Sequence, residues 1–551
     1  MPTLMVPTLV PVIETGTPVD ALPSISAVAD IIDSSVFRVG VLYNDPPYSE
    51  LTLRGEVSGF AADLLRKIAN VWSSEIEFLQ VTRLNALDKL NSGEVHAVAS
   101  GLVRYRDLDA ALDFSQTYLR GKQALMVSAS SAYTAPVELS DQTIGYVLGS
   151  RTEKALDIWR NRLGRDLNLR PFLTLDRAVA ALTRAEIAGL VAEEQALLRL
   201  AADAEDNVRL LDQPVVSESH AIAVRRQDAP MRLLLNHTLQ FLANDGEIDV
   251  LFREYFPDAT YNGDVITLWS GIGDQVSLDQ YPAALHYPTS YALPRIKSRG
   301  VLRVGGLTDA SQAATAGLRR LAELNLALVS EIASRWNVRL ELVPTDPETA
   351  AQSLNSGAVD LVVGLKPDWA AAAAVEFSAP YLLHGDRLMV RTHSGIHGFS
   401  NLRGRIVGIL IGDGSAQERA EAWADSINAT VRFFRTTESG AAQTILDFNN
   451  ANAIYADSLA LLSHLEENPN SLRLTDRWYS RSFYSFALPY NDPDIRLLLD
   501  YTIQELIVDG TLYRLTAPLL VSDELPDFEI IPGMSRSAGI NLSRAEADSE
   551  P

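Results

Sequence analysis

Short runs of β-branched and aliphatic residues alternate with amphipathic stretches along most of the chain. The apolar run VFRVGVLY at 36–43 predicts a strand, and the apolar spacing of GFAADLLRKIANVW at 59–72 predicts a helix. A strand at 75–81, a helix that stops at a glycine at 86–93 and a strand at 95–103 follow. This alternation predicts an α/β fold, with parallel sheets that carry helices on both faces.

The same order of elements occurs a second time, about 264 residues further along the chain. Short motifs return in the same order at this nearly constant spacing. The matched pairs are FRVG at 37–40 and LRVG at 302–305, LNSGEV at 90–95 and LNSGAV at 354–359, DFSQTYL at 113–119 and EFSAPYL at 376–382, VLG at 147–149 and LIG at 410–412, Trp72 and Trp336, and the DG pairs at 245–246 and 509–510. Chance does not produce such a series, so the chain contains a duplication.

The repeat predicts two domains of two lobes each, separated by turn-rich segments. We predict an extended N-terminal stalk at 1–34, domain 1 at 35–257 (lobe 1 at about 35–121 and 225–257, lobe 2 at about 122–224), a linker at 258–296, domain 2 at 297–521 (lobe 1 at about 297–384 and 488–521, lobe 2 at about 385–487), and a flexible C-terminal tail at 522–551.

Composition narrows the classes of function. The chain has 551 residues, of which 47% are hydrophobic and 21% charged, as in ordinary soluble proteins. Its net charge is −23 and no basic stripe stands out, so we expect no nucleic-acid partner. The absence of cysteine excludes disulfides, thiol catalysis and cysteine-based zinc sites. His393 and His397 lie four residues apart in a glycine-containing loop, so we expect neither a metal nor a cofactor.

The first residues lack the basic and apolar regions of an intact secretion signal. We expect that a targeting segment was removed or that the start was placed too far downstream.

Several motifs together resemble the extracellular solute-binding proteins of family 3, the amino-acid-binding, periplasmic binding protein type II group. No single motif is specific, but their order and spacing are. In the first copy they are DPPY at 45–48, GFAADL at 59–64, LDFSQTY at 112–118, GSRTE at 149–153, AGLVAEE at 188–194 and HAIAVRR at 220–226. The resemblance covers roughly 35–257 and 297–518.

The resemblance implies two hinged lobes in each copy, joined by crossover strands, with the ligand held in the cleft between them. We place the crossovers near 120–127 and 217–224 in copy one. In copy two we place them near 383–390 and 483–488.

The family's aromatic residue that stacks on the ligand corresponds to Tyr48, which would otherwise be a turn aromatic that covers the lobe. The family's arginine that clamps the ligand carboxylate is missing, because Leu108 and Ala371 stand at its two positions. Arg104 and Arg106, which follow Gly101, are candidate substitutes or solvated loop charges.

The turn Gly149, Ser150, Arg151, Thr152 is the more attractive anion site, because it precedes a predicted helix N-terminus. Its arginine could instead be a surface charge. Asp63 lies near another helix start and is interpreted as structural.

The family's carboxylate for the ligand amino group corresponds to Glu193 in copy one and Asp457 in copy two, although either could simply cap a helix. Copy two is otherwise altered. Its turn retains Ser415, alanine stands where Tyr48 should recur, and 370–374 is polyalanine. We therefore expect copy two to be degenerate and favour a scaffold role over a different ligand.

We predict a monomeric, extracytoplasmic receptor that binds an amino acid or a similar polar solute and delivers it to a membrane permease of the ABC type. An extracytoplasmic sensory protein that acts with a sensor partner is the first alternative. A periplasmic dehydratase-like enzyme is the second alternative, since a carboxylate pair in a cleft can do acid–base work. We expect no catalysis.

Overall fold

The computed structural model describes residues 23–82, 85–100, 103–203, 207–257, 259, 265–313, 315–411, 415–519 and 528–532. The chain divides into two compact units. Unit 1 comprises residues 1–268, 272–286 and 530–538, and unit 2 comprises 269–271, 287–529 and 539–551. Each unit contains the α/β elements of one copy of the repeat.

Unit 1 is built from helices and strands in the predicted order. Its helices are α1 (Ala27–Ser34), α2 (Phe60–Val71), α3 (Ala86–Asn91), α4 (Thr152–Leu163), α5 (Leu175–Thr183), α6 (Glu194–Asp203), α7 (Ala229–Asn244) and α8 (Glu247–Tyr255). Its strands are β1 (Val36–Val41), β2 (Asn44–Asp45), β3 (Ser49–Leu51), β4 (Val57–Ser58), β5 (Glu75–Gln80), β6 (Ala97–Val98), β7 (Val103–Arg104), β8 (Leu112–Phe114), β9 (Leu119–Ser128), β10 (Thr143–Val147), β11 (Asn168–Phe172), β12 (Gly189–Glu193), β13 (Val208–Leu210), β14 (Val216–His220) and β15 (Ala223–Arg225).

These strands form a separate main sheet in each lobe of unit 1. The first lobe has the strand order β5-β1-β6-β15-β8, and the second has the order β11-β10-β12-β9-β14-β7, with β13 also paired to β9. The strands β1, β5 and β6 run parallel, as do β10, β11 and β12. Strands β9 and β14, which cover the predicted crossovers, enter the second sheet antiparallel. The sheets are therefore mixed, rather than purely parallel as the alternation of elements had suggested.

Unit 2 repeats this plan. Its helices are α9 (Ala292–Arg299), α10 (Ala316–Arg335), α11 (Ala350–Asn355), α12 (Ala416–Ser426), α13 (Ala441–Leu446), α14 (Ser458–Glu467), α15 (Pro493–Val508) and α16 (Thr511–Thr516). Its strands are β16 (Val301–Gly305), β17 (Arg339–Leu342), β18 (Leu361–Leu365), β19 (Val375–Phe377), β20 (Leu382–His384), β21 (Asp386–Arg391), β22 (Ile406–Leu410), β23 (Arg432–Thr436), β24 (Ala453–Asp457), β25 (Leu472–Leu474) and β26 (Ser482–Pro489). The two lobe sheets have the orders β17-β16-β18-β26-β19 and β23-β22-β24-β21-β25.

The duplication extends to individual contacts. The indole Nε1 of Trp72 donates a hydrogen bond of 2.8 Å to Thr238 Oγ1 in unit 1. In unit 2, Trp336 Nε1 donates one of 2.9 Å to Thr502 Oγ1. Both tryptophans lie in the core and fasten the helix that precedes them to the long helix, α7 or α15, near the end of the repeat. The repeated tryptophan in the sequence thus marks a repeated packing contact.

A short helix anchored to a buried aspartate begins each unit, and the sequence analysis missed both helices. In unit 1 the carboxylate of Asp228 accepts from the Ser26 hydroxyl at 2.5 Å and from the Ala27 backbone N–H at 2.8 Å. Val28 and Ile31 of α1 are fully buried. The prediction of an extended stalk up to residue 34 is therefore wrong for its last residues, because the apolar face of α1 packs on the unit.

The predicted linker and tail also need correction. Ile266 and Val276 belong to the core of unit 1, and α9 begins at Ala292, inside the predicted linker. At the other end of the chain, Ile531 is buried, and Pro532 O accepts the backbone N–H of Arg106 at 3.1 Å. The described part of the predicted flexible tail therefore packs against unit 1. The rest of the tail and residues 1–22 of the stalk lie outside the described residues.

In unit 2 the anchoring aspartate has fewer partners. Asp492 Oδ2 accepts the Ala292 backbone N–H at 2.7 Å, but its buried Oδ1 has no hydrogen-bond partner among the described residues. Asp228 in unit 1 also pairs with Arg225 at 2.9 Å, whereas no arginine or lysine within the described ranges pairs with Asp492. Burial therefore raises the pKa of Asp492 to about 7.

Gly59 positions Tyr48, the candidate ligand-stacking residue. The first N–H groups of α2, from Phe60 and Ala61, donate to the carbonyls of Pro47 and Tyr48 at 2.9 Å each. Gly59 has φ +126°, and a Cβ there would lie 2.5 Å from the Tyr48 carbonyl oxygen. Only glycine allows this close approach.

We predict that Gly59→Ala destabilises unit 1 by about 2–4 kcal/mol, because the new methyl group forces the Tyr48 backbone away from α2. Gly55→Ala is the matched control, since Gly55 also has positive φ but its Cβ would meet nothing within 4 Å. Chemical denaturation measures both. If the two substitutions destabilised unit 1 equally, the positive φ alone, and not the contact with the Tyr48 backbone, would account for the loss of stability.

We predict that Asp492→Asn removes a pH dependence of unit 2. A raised pKa means that the folded state holds the proton more tightly, so wild-type stability falls as pH rises from about 4 to about 7. The melting temperature of the variant minus that of the wild type should therefore increase over this range. A difference that stays constant with pH would contradict this prediction, and Asp228→Asn provides the matched substitution in unit 1.

Candidate ligand-binding clefts

Tyr48 lies at the contact between the two lobes of unit 1. Its side chain is buried, and its hydroxyl donates a hydrogen bond of 3.1 Å to Glu193 Oε1 at the end of β12 in the second lobe. Its ring stacks on His220, with the ring centroids 4.5 Å apart. Tyr48 and Glu193, both predicted site residues, therefore meet across the cleft.

Arg151 enters the same cleft from the turn before α4. Its guanidinium lies over the Tyr48 ring, 4.8 Å from the centroid, and its Nε is 4.0 Å from Asp45 Oδ1. The side chain is only 9% exposed, so this arginine is not a solvated surface charge. Burial alone would lower the pKa of Arg151, but Glu218 and Asp45 raise it overall, so the guanidinium keeps its charge.

Strand β14 supplies two further groups to this cleft. Glu218 and His220 are two residues apart, so they lie on the same face of the strand. Glu218 Oε1 accepts from the Tyr105 hydroxyl and from Gln123 Nε2 at 3.1 Å each, and Glu218 Oε2 is 4.0 Å from His220 Nε2. Burial lowers the pKa of His220 well below its ordinary value, so its imidazole is neutral.

Four polar atoms in this cluster are buried and lack a hydrogen-bond partner within the described part of the chain. They are Asp45 Oδ2, Arg151 Nη1, Glu218 Oε2 and His220 Nε2. A buried polar group without a partner costs about 1–3 kcal/mol, and more when it is charged. Two of the atoms are carboxylate acceptors and one is a guanidinium donor, so a small molecule with both an ammonium and a carboxylate group would satisfy them.

Glu193 has hydrogen-bond partners, but burial destabilises its negative charge. Its Oε2 accepts the Ala196 backbone N–H at 3.0 Å, which is the capping role that the sequence left open, while its Oε1 faces Tyr48. Burial raises the pKa of Glu193, although Arg151 acts in the opposite direction. An ammonium group close to this carboxylate would therefore stabilise its ionised form.

The structure places the other predicted residues of the Arg151 turn in internal contacts. The Gly149 N–H donates to Glu153 Oε1 at 2.8 Å, and the Ser150 hydroxyl donates to Val147 O at 2.6 Å. The Thr152 hydroxyl donates to Gln123 Oε1 at 2.8 Å. Arg151 is therefore the residue of this turn that contacts Tyr48.

The candidate clamp residues that follow Gly101 lie elsewhere. Arg104 pairs with Asp109 at 3.1 Å and lies over the ring of Phe114. The backbone N–H of Arg106 bonds to Pro532, and Gly101 lies outside the described residues. Asp63 accepts from Arg66 Nη1 at 2.5 Å and from the Tyr255 hydroxyl, in agreement with its structural interpretation.

Sequence reasoning missed Asp45, Glu218 and His220. A signal was present for the last two, because alternate residues of a predicted crossover strand share one face and polar residues are unusual there. Asp45 is part of the DPPY turn itself, where an acid has an ordinary turn-forming role.

Unit 2 has a cavity of ≈530 Å³ between its lobes. Charged and hydroxyl side chains dominate its lining. Among them are Lys366, His384, Asp386, Arg419, Glu438, Asp457, Ser480, Ser482 and Tyr484. The alanines at 370–374 are absent from this lining. The loss of the family's motif residues in copy two has therefore not left its cleft without polar groups.

Asp457, the predicted ligand-binding carboxylate of copy two, lines this cavity and also caps a helix. Its Oδ1 accepts the Leu459 backbone N–H of α14 at 2.9 Å, and its Oδ2 is 2.7 Å from His384 Nδ1. Burial raises the pKa of Asp457, but the contacts with His384 and the Leu459 N–H and the charge of Lys366 together lower it overall, so this carboxylate is ionised. Ser415, the other residue predicted for copy two, has its hydroxyl bonded to Arg419 Nη1.

Two features are absent from the described residues. No helix there is long and apolar enough to cross a bilayer. No group of three or more histidine, aspartate or glutamate side chains is arranged there to hold a metal ion.

Comparison with known proteins gives a consistent family match. The sequence model of "Bacterial extracellular solute-binding proteins, family 3" matches residues 37–258 and 323–519. A probable histidine-binding protein of Neisseria gonorrhoeae is 25% identical over 227 residues, which cover 40% of this chain and 83% of that protein. The amino-acid-binding protein AabA of Dichelobacter nodosus is 24% identical over 248 residues, 44% of this chain and 96% of its own length.

A solved structure also matches one copy. The arginine-, lysine-, histidine-binding protein ArtJ of Geobacillus stearothermophilus is 17% identical, with a TM-score of 0.34. The match covers 42% of this chain and 99% of that one.

We predict that Glu193→Gln changes the pH dependence of unit 1. Because the folded state raises the pKa of Glu193, wild-type stability falls as pH rises from the ordinary glutamate value of 4.5 towards the raised one. The melting temperature of the variant minus that of the wild type, without ligand, should therefore rise with pH over this interval. A difference that falls with pH would show that Arg151 outweighs burial.

Proposed function

The chain belongs to the bacterial extracellular solute-binding proteins, family 3, and we propose that unit 1 is an extracytoplasmic receptor for an amino acid or a similar small zwitterion. The observation that supports this proposal most strongly is the cluster of unpartnered buried atoms on Asp45, Arg151, Glu218 and His220. Their arrangement around Tyr48 offers acceptors to an ammonium group and a donor to a carboxylate.

In this proposal Arg151 takes over the carboxylate contact that the family places on the missing arginine. Glu193 and Asp45, from opposite lobes, face the ammonium group, and Tyr48 holds Arg151 and Glu193 in place beside the ligand. Because these groups come from both lobes, a ligand that bridges them favours the closed arrangement over the open one. No catalytic step is proposed, since the relatives named above are binding proteins.

The delivery partner in this proposal is a membrane permease of an ABC-type uptake system. The curated relatives support this assignment, and one of them is the ABC transporter glutamine-binding protein of Bacillus subtilis, 23% identical over 208 residues. For unit 2, the altered motif residues favour a scaffold, whereas the polar cavity between its lobes favours a second binding cleft.

The test is a thermal-shift screen of the full chain against amino acids, polyamines and small organic acids, followed by calorimetric titration of the strongest hit. A ligand at a hundred times its Kd stabilises the unit that binds it by about 2.7 kcal/mol. We expect Arg151→Ala to weaken binding of a unit 1 ligand at least tenfold, because its carboxylate loses a buried charged donor.

The control is Arg160→Ala, on helix α4 that follows the Arg151 turn, where the arginine is exposed and pairs with Asp157 at 3.0 Å. It should leave the Kd unchanged. The proposal fails if no compound in the screen binds, or if Arg151→Ala and Arg160→Ala bind every hit equally well.

A further inference from the structure

The cavity of unit 2 carries a different set of charges from the cleft of unit 1. Asp386 stands at the position of Gln123, because each pairs across its sheet with the acidic residue that ends the neighbouring strand, Asp457 or Glu193. Likewise Tyr484 stands at the position of His220, since each pairs with the leucine that begins the crossover. The two clefts share a framework but present different chemistry.

One of these charges is already neutralised within the unit. Arg419 on α12 pairs with Asp386 through two contacts, of 2.7 Å from Nε and 3.3 Å from Nη2. Asp386 also accepts the Tyr455 hydroxyl at 2.9 Å. This pair lines the cavity but leaves no net charge for a ligand to balance.

Asp457 presents a carboxylate acceptor beside the buried imidazole of His384. An ionised Asp457 can only accept, so its contact with His384 Nδ1 requires that this nitrogen carry the proton. His384 is 1% exposed, and its buried Nε2 has no hydrogen-bond partner among the residues that the structure describes. A polar group of a ligand would satisfy this atom.

Two further side chains at the cavity are not engaged in hydrogen bonds or ion pairs with the described residues. Glu438, which is partly buried, adds a second carboxylate, and the exposed Lys366 lies over the Tyr484 ring at 5.5 Å. A cation–π contact at an exposed position is worth about 0.5–1 kcal/mol, so this lysine can turn to meet a ligand carboxylate. With Asp457, Glu438 and Lys366 charged, the lining carries a net charge of about −1 beside the Arg419–Asp386 pair.

We propose that the cavity of unit 2 is a second binding site, and that it takes a small cationic amino acid, with one ammonium group held by Asp457 and Glu438 and its carboxylate held by Lys366. The proposal rests on the proposed receptor function for the closing of the lobes, but on none of the ligand contacts of unit 1. The volume of ≈530 Å³ lies within the range of about 300–1,000 Å³ that is usual for small-molecule sites.

The experiment is calorimetric titration of the full chain with L-lysine, in a background that carries Arg151→Ala and Glu193→Gln so that unit 1 does not bind. L-Norleucine is the matched ligand, because it has the same backbone and chain length without the side-chain ammonium group. Glu438→Gln and Asp457→Asn are added singly to this background. Glu467→Gln, on an exposed residue of the same unit, is the control.

We expect L-lysine to bind the background protein, L-norleucine to bind at least tenfold more weakly, and Glu438→Gln to weaken L-lysine binding at least tenfold while Glu467→Gln has no effect. Hydrogen exchange of the background protein should slow with L-lysine in peptides that contain β24 and α14. Without ligand, each variant should exchange as slowly as the background protein, which shows that it is folded.

Absence of L-lysine binding in the background overturns the proposal, and so does binding that Glu438→Gln and Asp457→Asn both leave unchanged. In either case the receptor function of unit 1 is judged separately, by whether Arg151→Ala alone abolishes binding of its own ligand.

Discussion

The structure of unit 1 depends on the compensation of charges that are buried between its lobes. Arg151 is held among Asp45, Glu218 and Glu193, with Tyr48 and His220 stacked beside them. Taking such groups out of water costs several kcal/mol for each ion unless opposite charges and hydrogen bonds replace the water. Here the opposite charges are present but the hydrogen bonds are incomplete, and this incompleteness makes the cleft receptive to a ligand with both signs of charge.

The fold was largely predictable because it depends on a pattern that is written twice. Alternating strands and helices, the repeated tryptophan and the repeated DG helix ends indicated both units, and the family resemblance indicated the crossover strands. Helices α1 and α9 escaped because their helical character depends on long-range contacts. α1 is anchored to Asp228 and α9 to Asp492, each about 200 residues away along the chain. No local sequence pattern predicts a helix that is anchored in this way.

The candidate site was only partly predictable, for a related reason. Tyr48, Arg151 and Glu193 lie at positions that the family resemblance marks, and the structure brings them together. Glu218 and His220 belong to the site because one face of β14 is directed into the cleft. The sequence alone does not show whether a polar pair on a strand faces solvent or a cleft, because this depends on the position of the neighbouring lobe. The neighbours of Arg151 in its turn show the opposite case, since their polar groups are used to build the turn itself.

The two units illustrate how a duplicated fold can keep its framework and change its chemistry. Corresponding strand positions hold Gln123 and Asp386, or His220 and Tyr484, in the same sheet register. An acid introduced at Asp386 is matched by Arg419 on a neighbouring helix, so the change does not leave a buried charge uncompensated. The family's motif positions alone suggest that unit 2 binds no ligand, whereas the polar side chains around its cavity suggest that it does.

A crystal structure of the full chain with its stabilising ligand bound would show whether the buried charges of unit 1 hold that ligand. We expect polar atoms of this ligand to lie within about 3.2 Å of Arg151 Nη1 and Glu218 Oε2, beside the Tyr48 ring. A ligand bound elsewhere, with these buried atoms bonded only to water or still without partners, would contradict it.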